Sequence, residues 1–384
     1  MKKFYATSLL LLSLAAASAQ YNCNNYFPVI APDGATIYFS SDRHGGNWEI
    51  YKADIDGISN LTRLTNTTSS IQYLALSPDG SKIVFQQDGY GPAAEIFVMN
   101  NDGTGLTQLT NNSVFDGCPN FSPDGSKIVY CGWDGDQYPE IFVMDTDGNN
   151  KVQLTNVAGA YWQYNPKYNP AGDKIYLELG YNADNHIACM NTDGTNWVDI
   201  TPANDFGYMD GALSFNSDGS KILFLTTDYL GYANGSDIIL ANADGSNWVN
   251  LTNAPAGEYN FFAVFNPAND KIYYSSAPSG AAYNIKSMST DGSSVAHVTN
   301  CSQVGFDEYP VAKGLAIYPN PVEDILNVQA SDAYSVSIFD FTGRFMLQSK
   351  SGMVDVSALE TGIYTIVFQD AGNNIIKTGK LIKK

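Results

Sequence analysis

The chain has 384 residues, 44% apolar, 13% aromatic and 15% charged, with a formal net charge of −19. That length and apolar content exclude a disordered tail, and the 34 Gly with few helix-forming stretches favour an all-β protein over a helix bundle. Residues 21–311 hold 11 Lys plus Arg against 32 Asp plus Glu, so the basic footprint that nucleic acid or an anionic membrane needs is missing, and cations, neutral sugars and basic peptides remain as partners.

In chain order, Lys2 and Lys3 precede the apolar run Leu9 to Leu14 and then Ala17-Ser18-Ala19, which predicts a signal peptide over residues 1–19. The run is too short for the ~30 Å of a bilayer core, and no later segment is long and apolar enough, so no transmembrane segment is expected. Export makes disulfides possible among Cys23, Cys118, Cys131, Cys189 and Cys301. With no Cys-x-x-Cys and only three His, no metal site and no cofactor are expected.

The string Ser77-Pro78-Asp79-Gly80-Ser81-Lys82-Ile83 returns at Ser122 to Ile128 and, more weakly, four more times. The aligned Ile37, Ile83, Ile128, Ile175, Ile222 and Ile272 stand 45 to 50 residues apart. Each copy continues with a strand such as Glu95 to Asn100, an Asp-Gly turn, and a Leu-Thr ending such as Leu109-Thr110. Four short antiparallel strands per copy, six times, predict a six-bladed β-propeller over residues 20–305.

These landmarks, with Ser41-Asp42-Arg43-His44-Gly45-Gly46 before Trp48-Glu49-Ile50-Tyr51, resemble the TolB-like propeller repeat across residues 26–300. Copy four departs, with His186 in place of the usual acid, and copy six lacks the loop Asp. Too few residues precede the first copy for the separate N-terminal domain of TolB itself.

After a linker at 306–314, residues 315–384 alternate apolar and polar residues between frequent turns, which predicts a small immunoglobulin-like β-sandwich. Tyr318-Pro319-Asn320-Pro321, Thr342-Gly343-Arg344, Gly362-Ile363-Tyr364 and the Lys-rich terminus resemble the C-terminal sorting domain of type IX secretion substrates in the Bacteroidetes group. The resemblance implies export across the outer membrane, the type IX machinery as a partner of residues 315–384, later removal of this domain, and a secreted or surface-attached mature protein. The last strand, with its lysines, is a candidate receptor contact, although edge lysines also protect a sheet.

Within each copy, the turns between strands one and two and between strands three and four share one face of the disc. The longer, variable loops share the other. That loop face carries Tyr90, Trp133, Asp134, Tyr138, Tyr161, Trp162, Tyr181, Asp210, Tyr229, Tyr232 and Tyr259 as candidate ligand-binding residues. Flat rings among carboxylates suit a glycan or an extended peptide, whereas packing between neighbouring copies is the plainer role for such rings. No Gly-x-Ser-x-Gly elbow is present and no catalytic residue is assigned; a binding module leads, and a polysaccharide-acting enzyme with two funnel carboxylates as acid and base is the alternative.

The repeat also predicts pairings of cysteines. Aligned on one connection between copies, Cys23 and Cys301 fall two residues apart, so a disulfide clasp between the ring ends is expected. A two-residue turn at Asp124-Gly125 would set Cys118 opposite Cys131 and allow a second bridge, unless a bulge slips the register. Cys189 is the odd thiol.

Overall fold

A computed structural model describes residues 23–384 except 44–45, 56–59, 89–93, 134–137, 157–160, 182–183, 202–208, 228–234, 300–315, 319–321, 330–333, 341–343, 351 and 371–374. At 161, 181, 184, 209–212, 227, 316–318, 329, 334, 370, 375–380 and 382 the backbone alone is described. The expected signal peptide and Cys301 lie outside the described residues.

The described residues form strands and no helix. Six four-stranded antiparallel sheets follow one another over 25–63, 71–108, 116–153, 161–199, 209–250 and 258–297, here called units 1 to 6. In each unit the strands pair in chain order. The first strands, Asn25–Ile30, Ile71–Leu76, Asp116–Phe121, Tyr161–Tyr168, Met209–Phe215 and Glu258–Phe265, are the inner strands, which meet their neighbours from unit to unit; that of unit 1 also meets unit 6. At the seam, Asn25 N–H donates to Tyr283 O at 2.9 Å and Tyr283 N–H to Asn24 Oδ1 at 3.2 Å.

The apolar core lies between units. Val84, Ile96 and Val98 of unit 2 pack with Phe121, Ile128 and Met144 of unit 3, and Ile37, Phe39 and Tyr51 of unit 1 with Tyr273 and Ile285 of unit 6. All six aligned isoleucines of the repeat are at 0% exposure, so the residue that marks the period in sequence is the residue that each interface encloses. At roughly 1.5–3 kcal/mol per buried side chain, these contacts and not the two-residue outer strands hold the ring together.

The polar landmarks have local work too. Asp79 accepts from Ser77 Oγ and from Ser81 N–H at 2.6 and 3.0 Å, closing its turn, and Asp124 repeats this with Ser122 and Ser126. Those hydrogen bonds hold both carboxyls at about 2, below the usual range. Gly148 adopts φ +85°, and a Cβ there would lie 2.9 Å from Leu109 O of the preceding unit; at Gly245 the clash with Ile200 O would be at 1.7 Å. A side chain at either place would push successive units apart.

The predicted Cys118–Cys131 bridge is not formed: both are free, buried thiols. Phe121 pairs with Ile128 and Asn120 with Val129, a register that would bring Cys118 opposite Cys131. A bulge intervenes, Cys118 takes φ +52°, and Cys131 faces Gly117 instead, donating its Sγ–H to Gly117 O at 3.3 Å. Cys189 is likewise a free, buried thiol, while Cys23 is disulfide-bonded.

The C-terminal residues form two sheets, one of Ala316–Tyr318, Ile325–Gln329 and Met353–Asp355, the other ordered Phe345–Ser349, Tyr334–Phe339, Gly362–Asp370, Ile375–Lys383. Leu326, Val328 and Val354 of the first share one core with Val336, Ile338, Ile366 and Phe368 of the second. The last strand is an edge strand, but Lys383 is buried, its Nζ 3.9 Å from Asp324.

Candidate functional site

The threonine of each Leu-Thr ending turns back onto strand three of its own unit. Ile50, Ile96, Ile141, Ile187, Ile238 and Ile285 each donate the backbone N–H to Thr65, Thr110, Thr155, Thr201, Thr252 and Thr299 Oγ1, at 2.7 to 3.4 Å. The hydroxyls of Thr65, Thr155 and Thr252 then donate to Glu49, Glu140 and Asp237. The acids also hold the connections: Glu49 accepts from Thr67 N–H, Glu95 from Asn112 N–H and Asp237 from Ala254 N–H. In unit 4, where His186 replaces the acid, Asp199 supplies the carboxylate, 2.9 Å from His186 Nδ1 and accepting from Thr201 Oγ1 at 2.8 Å. The acids of the repeat on the loop face are therefore structural.

Among the predicted ligand-binding residues, Tyr90, Asp134, Tyr229 and Tyr232 lie outside the described residues, and the side chains of Tyr161, Tyr181 and Asp210 are not described. The others divide. Trp133 is half-buried against the core shared by units 3 and 4, its ring 6.1 Å from Phe115, with Nε1 buried and without a partner among the described residues. Tyr259 is half-buried and stacks on Phe261, centroids 6.4 Å apart.

Trp162 alone of the four is exposed, at 43%. It pairs with Gly180 on the neighbouring strand, where a Cβ would come within 3.2 Å of its Cε3, so the indole lies across a position without a side chain. Tyr138, from the loop of unit 3, stands 6.2 Å away at 45°. Two rings from adjacent units, one supported by backbone, make a preorganised aromatic platform.

A buried acid pair is also present on this face. Asp116 and Glu95 are each 5% exposed; Asp116 accepts from Asn112 Nδ2 at 2.7 Å. Burial, and to a lesser degree Glu95, push the Asp116 carboxyl up to about 6 against the pull of that hydrogen bond. The described residues contain no group of three or more His, Cys, Asp or Glu able to hold a metal ion.

Sequence reasoning missed two groups. Tyr26 stacks on Trp48 at 4.5 Å and meets Tyr283 at 4.6 Å across the seam, and Trp48 directly before Glu49 was the available signal. It also missed the centre of the ring. Phe27, Tyr73, Cys118, Asn165 and Phe262 all take φ near +50° at the inner-strand bulges, and all line a central cavity of about 470 Å³. None is Gly, and four bulges lack Asn or Asp, so no local signal announced them.

The TolB beta propeller domain family matches residues 16–163 and 62–224, more than half of the chain, which belongs to that family. Residues 316–384 match the secretion system C-terminal sorting domain, the address of type IX secretion, so the protein is secreted or attached to the cell surface and its sorting domain implies interaction with that machinery. No curated protein matches in sequence. Among solved structures, a putative TolB from Agrobacterium tumefaciens is similar at 22% identity and TM-score 0.51, covering 59% of this chain and 79% of that one. TolB from Acinetobacter baumannii is similar at 18% identity and TM-score 0.54, covering 71% of this chain and 62% of that one. At these identities the likeness concerns fold.

Proposed function

We propose that the protein is a six-bladed, non-catalytic binding propeller that displays a glycan- or peptide-binding surface outside the cell. The carrying observation is the exposed Trp162 ring laid over Gly180 beside Tyr138, on the face whose repeat acids are occupied with holding connections. Rigid rings beside an acidic disc suit a neutral sugar face or a basic or neutral peptide and disfavour polyanions. An array of neutral glycans and peptides probed with the mature protein should give retained hits, and a blank array would end the proposal.

One observation favours the alternative, a polysaccharide-acting enzyme: the Asp116 carboxyl near 6 beside Glu95 has the acid–base poise of a glycosidase pair. Their enclosure weighs against it. Reducing-sugar release from polysaccharides that is lost in Asp116→Asn would favour the enzyme.

The export reading assigns residues 1–19 to a cleaved signal, 20–305 to the propeller and 315–384 to an immunoglobulin-like sorting module removed after passage. Mass spectrometry of the extracellular protein should find it shortened by about 70 residues at the C-terminus; a surface form still ending at Lys384 would contradict removal. Cys23 is assigned Cys301 as partner, since the other three cysteines are free. Unreduced, denatured protein should then react at three thiols, and alkylation of Cys23 would overturn the clasp.

A further inference from the structure

The central cavity is chemically two-sided. Phe27, Tyr73 and Phe262, from units 1, 2 and 6, meet with centroids 4.0, 4.8 and 6.1 Å apart and form an aromatic cluster where the inner strands bulge. From there the lining reaches Pro32, Pro78 and Pro267 of the turns, so the cavity extends toward the turn face, away from the Trp162 platform. After the bulges, equivalent positions carry Val29, Ala75 and Val264 on units 1, 2 and 6, but Asn120, Lys167 and Ser214 on units 3, 4 and 5.

Among the described residues Lys167 is the one charged residue that lines this cavity, and no described carboxylate lines it. Among the described residues it has no ion pair or hydrogen bond. The residue is half-buried, and partial desolvation lowers its pKa to about 8. A partly desolvated ammonium without a counter-charge among the described residues is costly, and an anionic ligand would offset that cost. Asn120 and Ser214 on the flanking units offer hydrogen bonds beside it, while the opposite wall, Ser77 apart, is made of rings and aliphatic side chains.

We infer that the central cavity is a second binding site, distinct from the loop face, which takes a small amphiphilic monocarboxylate: the carboxylate on Lys167, the aryl or alkyl body against Phe27, Tyr73 and Phe262. The carboxylate supplies the missing counter-charge, and the volume lies within the ordinary range for small-molecule sites.

The test titrates the full chain with 4-phenylbutanoate and with its neutral amide, by calorimetry near pH 7. The acid binds at least about tenfold more tightly than the amide, and Lys167→Met removes that preference without lowering the melting temperature, since it replaces a half-buried charge by an apolar chain of similar length. Affinity for the acid falls as the pH rises above 8. Equal binding of acid and amide, no binding of the acid at millimolar concentration, or an unchanged preference in Lys167→Met would overturn the assignment. Lys167→Gln, which keeps a polar side chain, should behave as Lys167→Met does; retention of the preference there would equally contradict it.

Discussion

The turn face and the loop face use carboxylates in opposite ways. On the turn face, Asp79, Asp102, Asp124, Asp193, Asp244 and Asp291 sit in exposed loops and accept from hydroxyls and amides two residues on, which lowers the pKa of each. On the loop face, Glu49, Glu95 and Glu140 are buried; the first two tie strand three to the connection leading into the next unit, and Glu140 ties it to Gln163 of the next unit's first strand. The repeated residues thus build the ring on both faces. The proposed recognition sites use what does not repeat: Trp162 with Tyr138 on one side, Lys167 at the centre.

The packing of turns on the preceding unit gives the largest expected effect. Gly245→Ala forces a Cβ onto Ile200 O at φ +83° and should cost about 3 kcal/mol or more, whereas Gly34→Ala, with no atom within 4 Å, should cost only the roughly 1–2 kcal/mol of its φ. Equal costs in denaturant melts would remove the inter-unit contact from the account. Next, Thr155→Val leaves Ile141 N–H and Glu140 without their shared hydroxyl and should cost about 2–3 kcal/mol. Asp79→Asn, on the exposed face, should shift the melting temperature far less.

Asp116 gives a smaller, pH-dependent effect. Its folded pKa of about 6 stands above the usual 3.8, so its contribution to stability is intact below about pH 3.8 and is lost as the pH rises through 6. Asp116→Asn should therefore be more stable than the parent at pH 7.5, by about 1–2 kcal/mol, with the advantage vanishing near pH 3.5. A constant difference across that range would show that Asp116 does not titrate as a buried acid.

The ring was legible because its period is written in residues with a repeated physical duty. Ile128 is enclosed, Asp124 closes a turn and Thr155 caps a strand, and each recurs in register. The register of Cys118 with Cys131 was not legible, because the bulge depends on how six inner strands crowd the axis and not on a turn residue. Trp133 and Trp162 looked alike in sequence; only the neighbouring Phe115 core and the bare Gly180 separate a packed indole from a displayed one. Lys167 in an inner strand was visible, but its isolation belongs to five other strands.

The most direct test of the displayed-platform account compares Trp162→Ala with Trp133→Ala on whichever neutral glycan or peptide the mature protein retains. Trp162→Ala should abolish retention and leave the melting temperature within the scatter of the parent, while Trp133→Ala should lower the melting temperature by several degrees. Full retention by a folded Trp162→Ala protein would contradict the account.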